Sequence, residues 1–152
     1  KHVRFYDRAA TKYIAGKNNP DYTCSVRMGK CIDGTFIITD LSSMRESSGV
    51  VETRIGEIAK QDKLEFKDIK LMSFQDPGSA GKGEAERFVK TYAKYGRVAT
   101  QPAIVNKETN CKSLSAAAEH GLVKVWAKVS PRELDLFLNQ LTAFPEVGVH
   151  DD

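Results

Sequence analysis

The alternation of apolar and polar positions in the first third of the chain predicts three short strands. Residues 3–6 form the first, residues 22–28 alternate as a half-buried strand does, and residues 35–40 carry a third apolar stretch. Between the second and third segments, the pair Asp33 and Gly34 is a strong signal for a hairpin turn. We therefore expect the chain to begin with an antiparallel meander.

Beyond residue 49 the apolar positions recur at helical spacing and alternate with short apolar runs. Val51, Ile55 and Ile58 predict a helix over residues 50–62, and the run 69–74 is typical of a strand buried on both faces. The order indicates an α/β fold, in which a mixed sheet (antiparallel meander plus parallel strands) carries helices on both faces within a single domain. The remaining pattern predicts helices over 83–95 and 113–120 and from 131 onward, and strands over 97–100 and 122–126.

The last predicted helix has the most complete start signal in the chain. Ser130 stands at the N-cap position, Pro131 at the first helical position and Glu133 at the third. Its apolar side chains recur at i, i+3, i+4 and i+7, and we expect all four to be buried: Leu134, Phe137, Leu138 and Leu141.

Composition excludes several classes of protein. In 152 residues no apolar run approaches the roughly 20 residues that a transmembrane helix needs, and the net charge of +3 is too small to establish nucleic-acid binding. Cys24, Cys31 and Cys111 contain no CxxC pair, which excludes a disulfide framework and a structural zinc site. We expect these cysteines to be small buried apolar side chains in a reducing compartment.

Acidic residues occupy positions where strands or helices meet loops. Asp7 ends the first predicted strand, Asp76 follows the apolar strand, and Asp151 and Asp152 stand where a further helix could begin. Sites in such sheets collect at the carboxyl ends of strands, and clustered carboxylates favour Mg²⁺ or Mn²⁺. From the pattern alone, turn and cap roles for these residues remain an open alternative.

Four phrases occur in one order along the chain: RFYDRAAT at residues 4–11, PDYT at 20–23, QDPGSAGK at 75–82, and FP…HDD at 144–152. Together they resemble the nuclease domain of the large terminase subunit of tailed bacteriophages. The resemblance implies an RNase H-like fold and an endonuclease that uses two ions of Mg²⁺ or Mn²⁺ to hydrolyse phosphodiester bonds. Its implied substrate is the double-stranded concatemeric viral DNA that is cut during genome packaging.

The resemblance also implies which residues form the site. Asp7, Asp76 and Asp151 are the expected catalytic metal ligands, Asp152 is an additional ligand, and Asp21 is an auxiliary candidate beside the second strand.

Lys82 and Lys107 are the expected DNA contacts, because both fall near predicted loops at the same edge of the sheet. The family commonly has a Lys-x-x-Arg motif where this chain has Lys107 followed by Asn110, so one backbone contact is missing or is supplied by Lys112. The family's HDD phrase is also usually followed by a helix with a further aspartate, and this sequence ends there.

The implied partners are double-stranded DNA and, in a full-length protein, the small terminase subunit and the portal, with no membrane. The implied location is the host cytoplasm, and we expect the chain to be a fragment whose packaging ATPase domain lies upstream. Holliday-junction resolvases and transposases share the three-carboxylate arrangement on this fold, and a non-catalytic module that docks DNA or the portal is a third alternative.

Overall fold

The computed structural model describes residues 1–9, 13–103 and 107–144, except the side chains of residues 107, 108 and 110. A short 3₁₀ turn, Ala93–Tyr95, follows the second helix. The described strands and helices are, in chain order, β1 (His2–Asp7), β2 (Thr23–Lys30), β3 (Phe36–Met44), α1 (Ser48–Glu65), β4 (Lys70–Gln75), α2 (Gly78–Tyr92), β5 (Arg97–Pro102), α3 (Lys107–Glu119), β6 (Val123–Val125) and α4 (Pro131–Ala143).

The strands form one mixed sheet in the order β5-β4-β1-β2-β3-β6. The pairs β1–β2 and β2–β3 are antiparallel, as the predicted meander requires, whereas β1–β4, β4–β5 and β3–β6 are parallel. As a consequence, β1, β3, β4 and β5 end at the same edge of the sheet, where β2 begins. We call this edge the carboxyl edge.

One face of the sheet, which we call the closed face, packs tightly against α1 and α2. Its strand side chains include Tyr6 and Leu71, which are fully buried, and α2 contributes Phe88 at 2% exposure. The ring centroids of Phe88 and Tyr6 lie 5.9 Å apart in an edge arrangement, which suits the quadrupoles of the two rings. The buried cluster consists of Tyr6, Val51, Ile55, Ala59, Ile69, Leu71, Phe88 and Tyr92.

The same face also buries a network of charges at its other end. Arg4 is 1% exposed and forms two hydrogen bonds to Asp62, of 2.5 and 2.9 Å, and a third of 2.8 Å to Asp40. Arg27 donates to Asp62 at 2.8 Å and to Glu65. Burial by itself lowers the pKa of Arg4, but the hydrogen bond and the charge of Asp62 outweigh it and raise that pKa above its ordinary value.

The opposite face, which we call the open face, is covered loosely by α3 and α4. Phe5, Val26 and Met28 point to this side and are only half-buried, and a cavity of about 200 Å³ separates them from α4. Met72 and Phe74 of β4 are half-buried as well. The prediction that β4 is buried on both faces is therefore wrong, because α3 and α4 do not seal the second face.

The second helix begins five residues earlier than predicted, at Gly78. Pro77 occupies the N-cap position with extended backbone angles, and Gly78 has a φ of +92°, which glycine adopts at no steric cost. Lys82 therefore lies inside the helix, in its second turn, and not in a loop. The α1 helix extends beyond both of its predicted limits, whereas α3 begins six residues before its predicted start and ends one residue before its predicted end.

The burial predicted for α4 is wrong, because Leu134 and Phe137 are only half-buried and two further leucines are exposed. Leu138 and Leu141 are 45% and 44% exposed, whereas Leu136 and Phe137 line the cavity above the sheet. The helix is oriented so that Glu133, Phe137 and Gln140, which lie about one turn apart, face the sheet.

The predicted start of α4 is confirmed, because Ser130 is the N-cap residue and Pro131 is the first residue of the helix. The side chain of Ser130 makes no capping hydrogen bond, and the carboxylate of Glu133 accepts a hydrogen bond of 2.7 Å from Ser43 Oγ.

The prediction that the cysteines are buried is wrong: Cys31 is exposed and Cys24 and Cys111 are half-exposed.

Candidate functional site

Asp7 is the last residue of β1 and lies at the carboxyl edge. It pairs across the antiparallel ladder with Cys24. Since side chains alternate along a strand, Asp7 shares the open face with Phe5, while Tyr6 points to the closed face. Asp7 is half-buried and lines the cavity under α4 together with Phe5. The strand thus delivers one carboxylate to a sheltered position beside unfilled space.

Asp76 follows β4, the parallel neighbour of β1, and is exposed at the same edge. The register pairs Tyr6 with Ser73, so Asp7 is level with the next residue of β4. Asp76 lies two residues farther, which corresponds to a rise of about 7 Å along the strand on a chain about 5 Å to the side. The prediction that the two carboxylates stand on neighbouring strands is confirmed.

Two glycines fix the turn that carries Asp76. Gly78 supplies the positive φ with which the chain enters α2. A Cβ atom at Gly81 would meet the carbonyl carbon of Asp76 at 2.7 Å, so only glycine allows the first turn of α2 to pack on the backbone of Asp76. Within the QDPGSAGK phrase, the glycines therefore hold the aspartate in place at the strand end.

Asp21 precedes β2 by two residues and so belongs to the carboxyl edge as well. A reciprocal pair of hydrogen bonds ties this region to the end of β1. The backbone amide of Ala9 donates to Thr23 Oγ1 at 2.9 Å, and the Thr23 hydroxyl donates to the carbonyl oxygen of Ala9. Because Thr23 is 1% exposed, this link holds the segments after Asp7 and before β2 together.

The structure describes only some of the other predicted site residues. Lys82 is exposed on α2. Lys107 is the first residue of α3, which follows β5 at the carboxyl edge, but its side chain is not among those described. Asp151 and Asp152 lie outside the described residues. Within the described ranges, no three His, Cys, Asp or Glu side chains come close enough together to hold a metal ion.

Two arginines at the carboxyl edge were not singled out from the sequence. Arg8 directly follows Asp7; its Nε donates to Ser73 Oγ at 3.1 Å, and its guanidinium carbon lies 5.0 Å from the centroid of the Phe88 ring. The position of Arg8 inside the RFYDRAAT phrase was the available signal. Both contacts come from elements far from Arg8 in the sequence, Ser73 on β4 and Phe88 on α2.

Arg45 is the second of these arginines and follows β3. Its guanidinium carbon lies 3.7 Å from the centroid of the Tyr22 ring, and its Nη1 donates to Asn19 Oδ1 at 3.0 Å. The backbone amide of Tyr13 donates to the carbonyl oxygen of Arg45 at 3.4 Å. Arg45 therefore fastens the loop before β2 to the carboxyl edge, and no spacing rule in the sequence pointed to it.

Comparison with known proteins adds the family. A family model described as the terminase RNaseH-like domain matches residues 4–152, which is nearly the whole chain. No curated protein sequence matches it significantly. None of the described helices combines the length and the apolar character that crossing a bilayer requires.

Proposed function

Because the chain belongs to the terminase RNaseH-like domain family, we propose that it is an endodeoxyribonuclease that depends on Mg²⁺ or Mn²⁺. Family membership supports a nuclease of the RNase H-like class. The observation that carries the finer proposal is the placement of Asp7 and Asp76 at the ends of adjacent parallel strands.

The chemistry of the donor set fits such ions. Carboxylate oxygens are the ligands that Mg²⁺ and Mn²⁺ prefer, and we propose that Asp7, Asp76 and Asp151 hold two of them, with Asp152 assisting and Asp21 nearby. Two such ions supply an activated water and offset the charge that develops on the scissile phosphate. Asp7 and Asp76 contribute negative charge from two adjacent strands, β1 and β4, and the turn at Gly81 keeps Asp76 in position.

The proposed substrate is concatemeric double-stranded viral DNA, cut during genome packaging in the host cytoplasm. Residues 1–152 act in this proposal as a single nuclease domain, and Lys82 and Lys107 contact the DNA backbone. In a full-length protein, the small terminase subunit and the portal are the proposed protein partners.

Replacing Asp76 tests the proposal, and Asp68 offers a matched control at the opposite end of the same strand. Both side chains are exposed, and Asp68 lies two residues before β4 begins. In Mn²⁺, the unchanged chain and Asp68→Asn should nick supercoiled plasmid, and EDTA should stop both. Asp76→Asn should be slower by about 100-fold or more, because it removes a ligand and not a supporting contact.

A melting experiment with the same three proteins gives a readout that does not depend on activity. An ion that binds only the folded chain stabilises it by about 2.7 kcal/mol at 100 times its dissociation constant, which is a shift of a few degrees at this size. The shift should persist in Asp68→Asn and shrink in Asp76→Asn.

Each alternative function predicts a different result. Equal nicking by Asp76→Asn and the unchanged chain would contradict the carboxylate assignment. A strong preference for four-way junctions over linear duplex would favour a resolvase. DNA binding without cleavage in any divalent metal would favour a docking module.

A further inference from the structure

Arg4 and Arg8 lie on the same side of the chain, four residues apart, but their charges are compensated differently. Arg4 is buried and pairs with Asp62 and Asp40 at 2.5 to 2.9 Å. Arg8 has a side chain that is 25% exposed, and the two groups that orient it, Ser73 Oγ and the Phe88 ring, carry no charge. The first arginine is neutralised within the fold, whereas the second is held in place mainly by neutral contacts.

The carboxylate of Glu84, which forms an ion pair with Arg8, is a weak partner. Glu84 Oε2 lies 3.7 Å from Arg8 Nη1, and the side chain of Glu84 is 58% exposed. A pair at this distance with an exposed carboxylate contributes little, because water screens the attraction and the Glu84 side chain loses conformational freedom when it pairs. The guanidinium of Arg8 is thus positioned before any ligand arrives, and its charge is only loosely compensated.

The location of Arg8 makes its charge accessible to a ligand. Arg8 is the residue after Asp7 and borders a groove of about 240 Å³ between α1 and α2, whose polar lining includes Ser48, Glu84 and Thr91. Arg87, on the same groove, is already paired with Glu52. A guanidinium presents a planar fork that matches the oxygens of a phosphate, and a side chain fixed in advance loses less entropy on binding.

We propose that Arg8 binds a DNA backbone phosphate that neighbours the one at Asp7 and Asp76, and that Glu84 competes with this phosphate for the guanidinium. The proposal rests on the nuclease function proposed above. It adds a substrate contact on the closed-face side of the carboxyl edge and a carboxylate that limits binding. When DNA binds, the phosphate replaces Glu84 as the partner of Arg8, and the Glu84 side chain turns toward solvent.

Binding of a 20-base-pair duplex by the full chain tests the proposal, with Asp76→Asn as the background so that the DNA stays intact. Arg8→Gln should weaken binding about 10-fold at low salt and reduce the slope of log Kd against log salt by about 1, because one phosphate contact is lost. The matched control is Arg54→Gln, since Arg54 also pairs with an exposed glutamate, Glu57, at 2.9 Å. The control should change neither quantity.

Glu84→Gln makes the test sharper, since it should increase affinity. Removing the competing carboxylate should tighten binding about 3-fold, in keeping with the strength of exposed pairs. The gain should disappear in the double variant Arg8→Gln/Glu84→Gln. Arg8→Lys keeps the charge but not the fork, and it should recover the salt slope with only part of the affinity.

Two outcomes would overturn this inference while the nuclease function stands. One is an Arg8→Gln variant with unchanged affinity and slope on DNA that the background protein binds. The other is a loss of affinity that accompanies a lower melting temperature with the salt slope unchanged, because that result marks a structural role. If the unchanged chain neither binds nor nicks duplex DNA, both the nuclease function and the role of Arg8 are wrong.

Discussion

The closed face of the sheet buries Tyr6, Leu71 and Phe88 almost completely, whereas the open face leaves Phe5 and Val26 half-exposed beside a cavity. Successive residues of β1 alternate between these two environments. The side chains that point to the closed face hold the fold together. Asp7 points to the open face, where loose packing leaves its carboxylate near space that an ion and a substrate can enter.

This division has a physical reason. A well-packed interior excludes water and fixes its neighbours, which suits stability but leaves no room for a ligand. Carboxylates that bind metal ions must keep access to solvent and must not already be engaged in ion pairs within the protein. Asp62 on the closed face is fully paired, and Asp76 at the carboxyl edge is exposed. The same residue type therefore serves structure in one region and is available for chemistry in the other.

Breaking the buried charge network is expected to have one of the two largest effects on stability. Asp62→Ala leaves Arg4 and Arg27 without their shared carboxylate and should lower the free energy of unfolding by about 3–5 kcal/mol. Urea denaturation at pH 7 measures the loss. A combined replacement, Arg4→Met with Asp62→Leu, removes the charge of Arg4 together with the carboxylate and leaves Arg27 its pair with Glu65, so it should recover much of the stability. A loss below about 1 kcal/mol in Asp62→Ala would show that the network is not what holds this end of the closed face.

A pair of matched phenylalanine truncations compares the two faces directly. Phe88→Ala opens a void in the closed face and should cost about 3–5 kcal/mol. Phe137→Ala enlarges a cavity that already exists under α4, so it should cost about 1 kcal/mol. Chemical denaturation of both variants gives the difference. Equal costs would mean that the open face is packed as tightly as the closed one.

The smallest expected effect comes from Tyr6. Its hydroxyl oxygen is buried and has no hydrogen-bond partner among the described residues, so Tyr6→Phe should change stability at pH 7 by less than about 0.5 kcal/mol. The comparison variant is Tyr92→Phe, which loses a hydrogen bond of 3.1 Å to the carbonyl oxygen of Glu52 and should cost about 1 kcal/mol.

The pH dependence of Tyr6→Phe provides a second measurement. Burial raises the pKa of Tyr6 well above its ordinary value near 10. The folded chain therefore keeps the phenol protonated up to a higher pH than the unfolded chain does. This contribution is fully present below pH 10 and declines above it, by up to about 1.4 kcal/mol per pH unit. Tyr6→Phe should therefore lose less stability than the unchanged chain between pH 10 and 11.5. Identical alkaline slopes would contradict the burial of this hydroxyl.

Much of the fold followed from the sequence because its signals are local. Alternation marked β1 and β2, the Asp33 and Gly34 pair marked the hairpin, and helical spacing marked α1. The position of Asp76 after an apolar strand was also a local signal. The phrases that contain Asp7 and Asp76 pointed to the family whose model matches the chain. The third carboxylate, at Asp151 or Asp152, stays a prediction.

The tertiary structure decided which apolar residues are buried and which polar side chains are fixed by contacts with other elements. Phe137 and Leu138 belong to one predicted apolar stripe, and only the docking of α4 through Glu133 and Ser43 turned Phe137 toward the cavity and left Leu138 exposed. Arg4 and Arg8 are likewise the same residue type, the first on β1 and the second directly after it. Their difference arises because α1 brings the buried Asp62 to Arg4, whereas α2 and β4 bring the neutral groups of Phe88 and Ser73 to Arg8, and α2 adds only the exposed and more distant Glu84. Contacts between elements far apart in the chain set the energy of each side chain, and local spacing does not encode them.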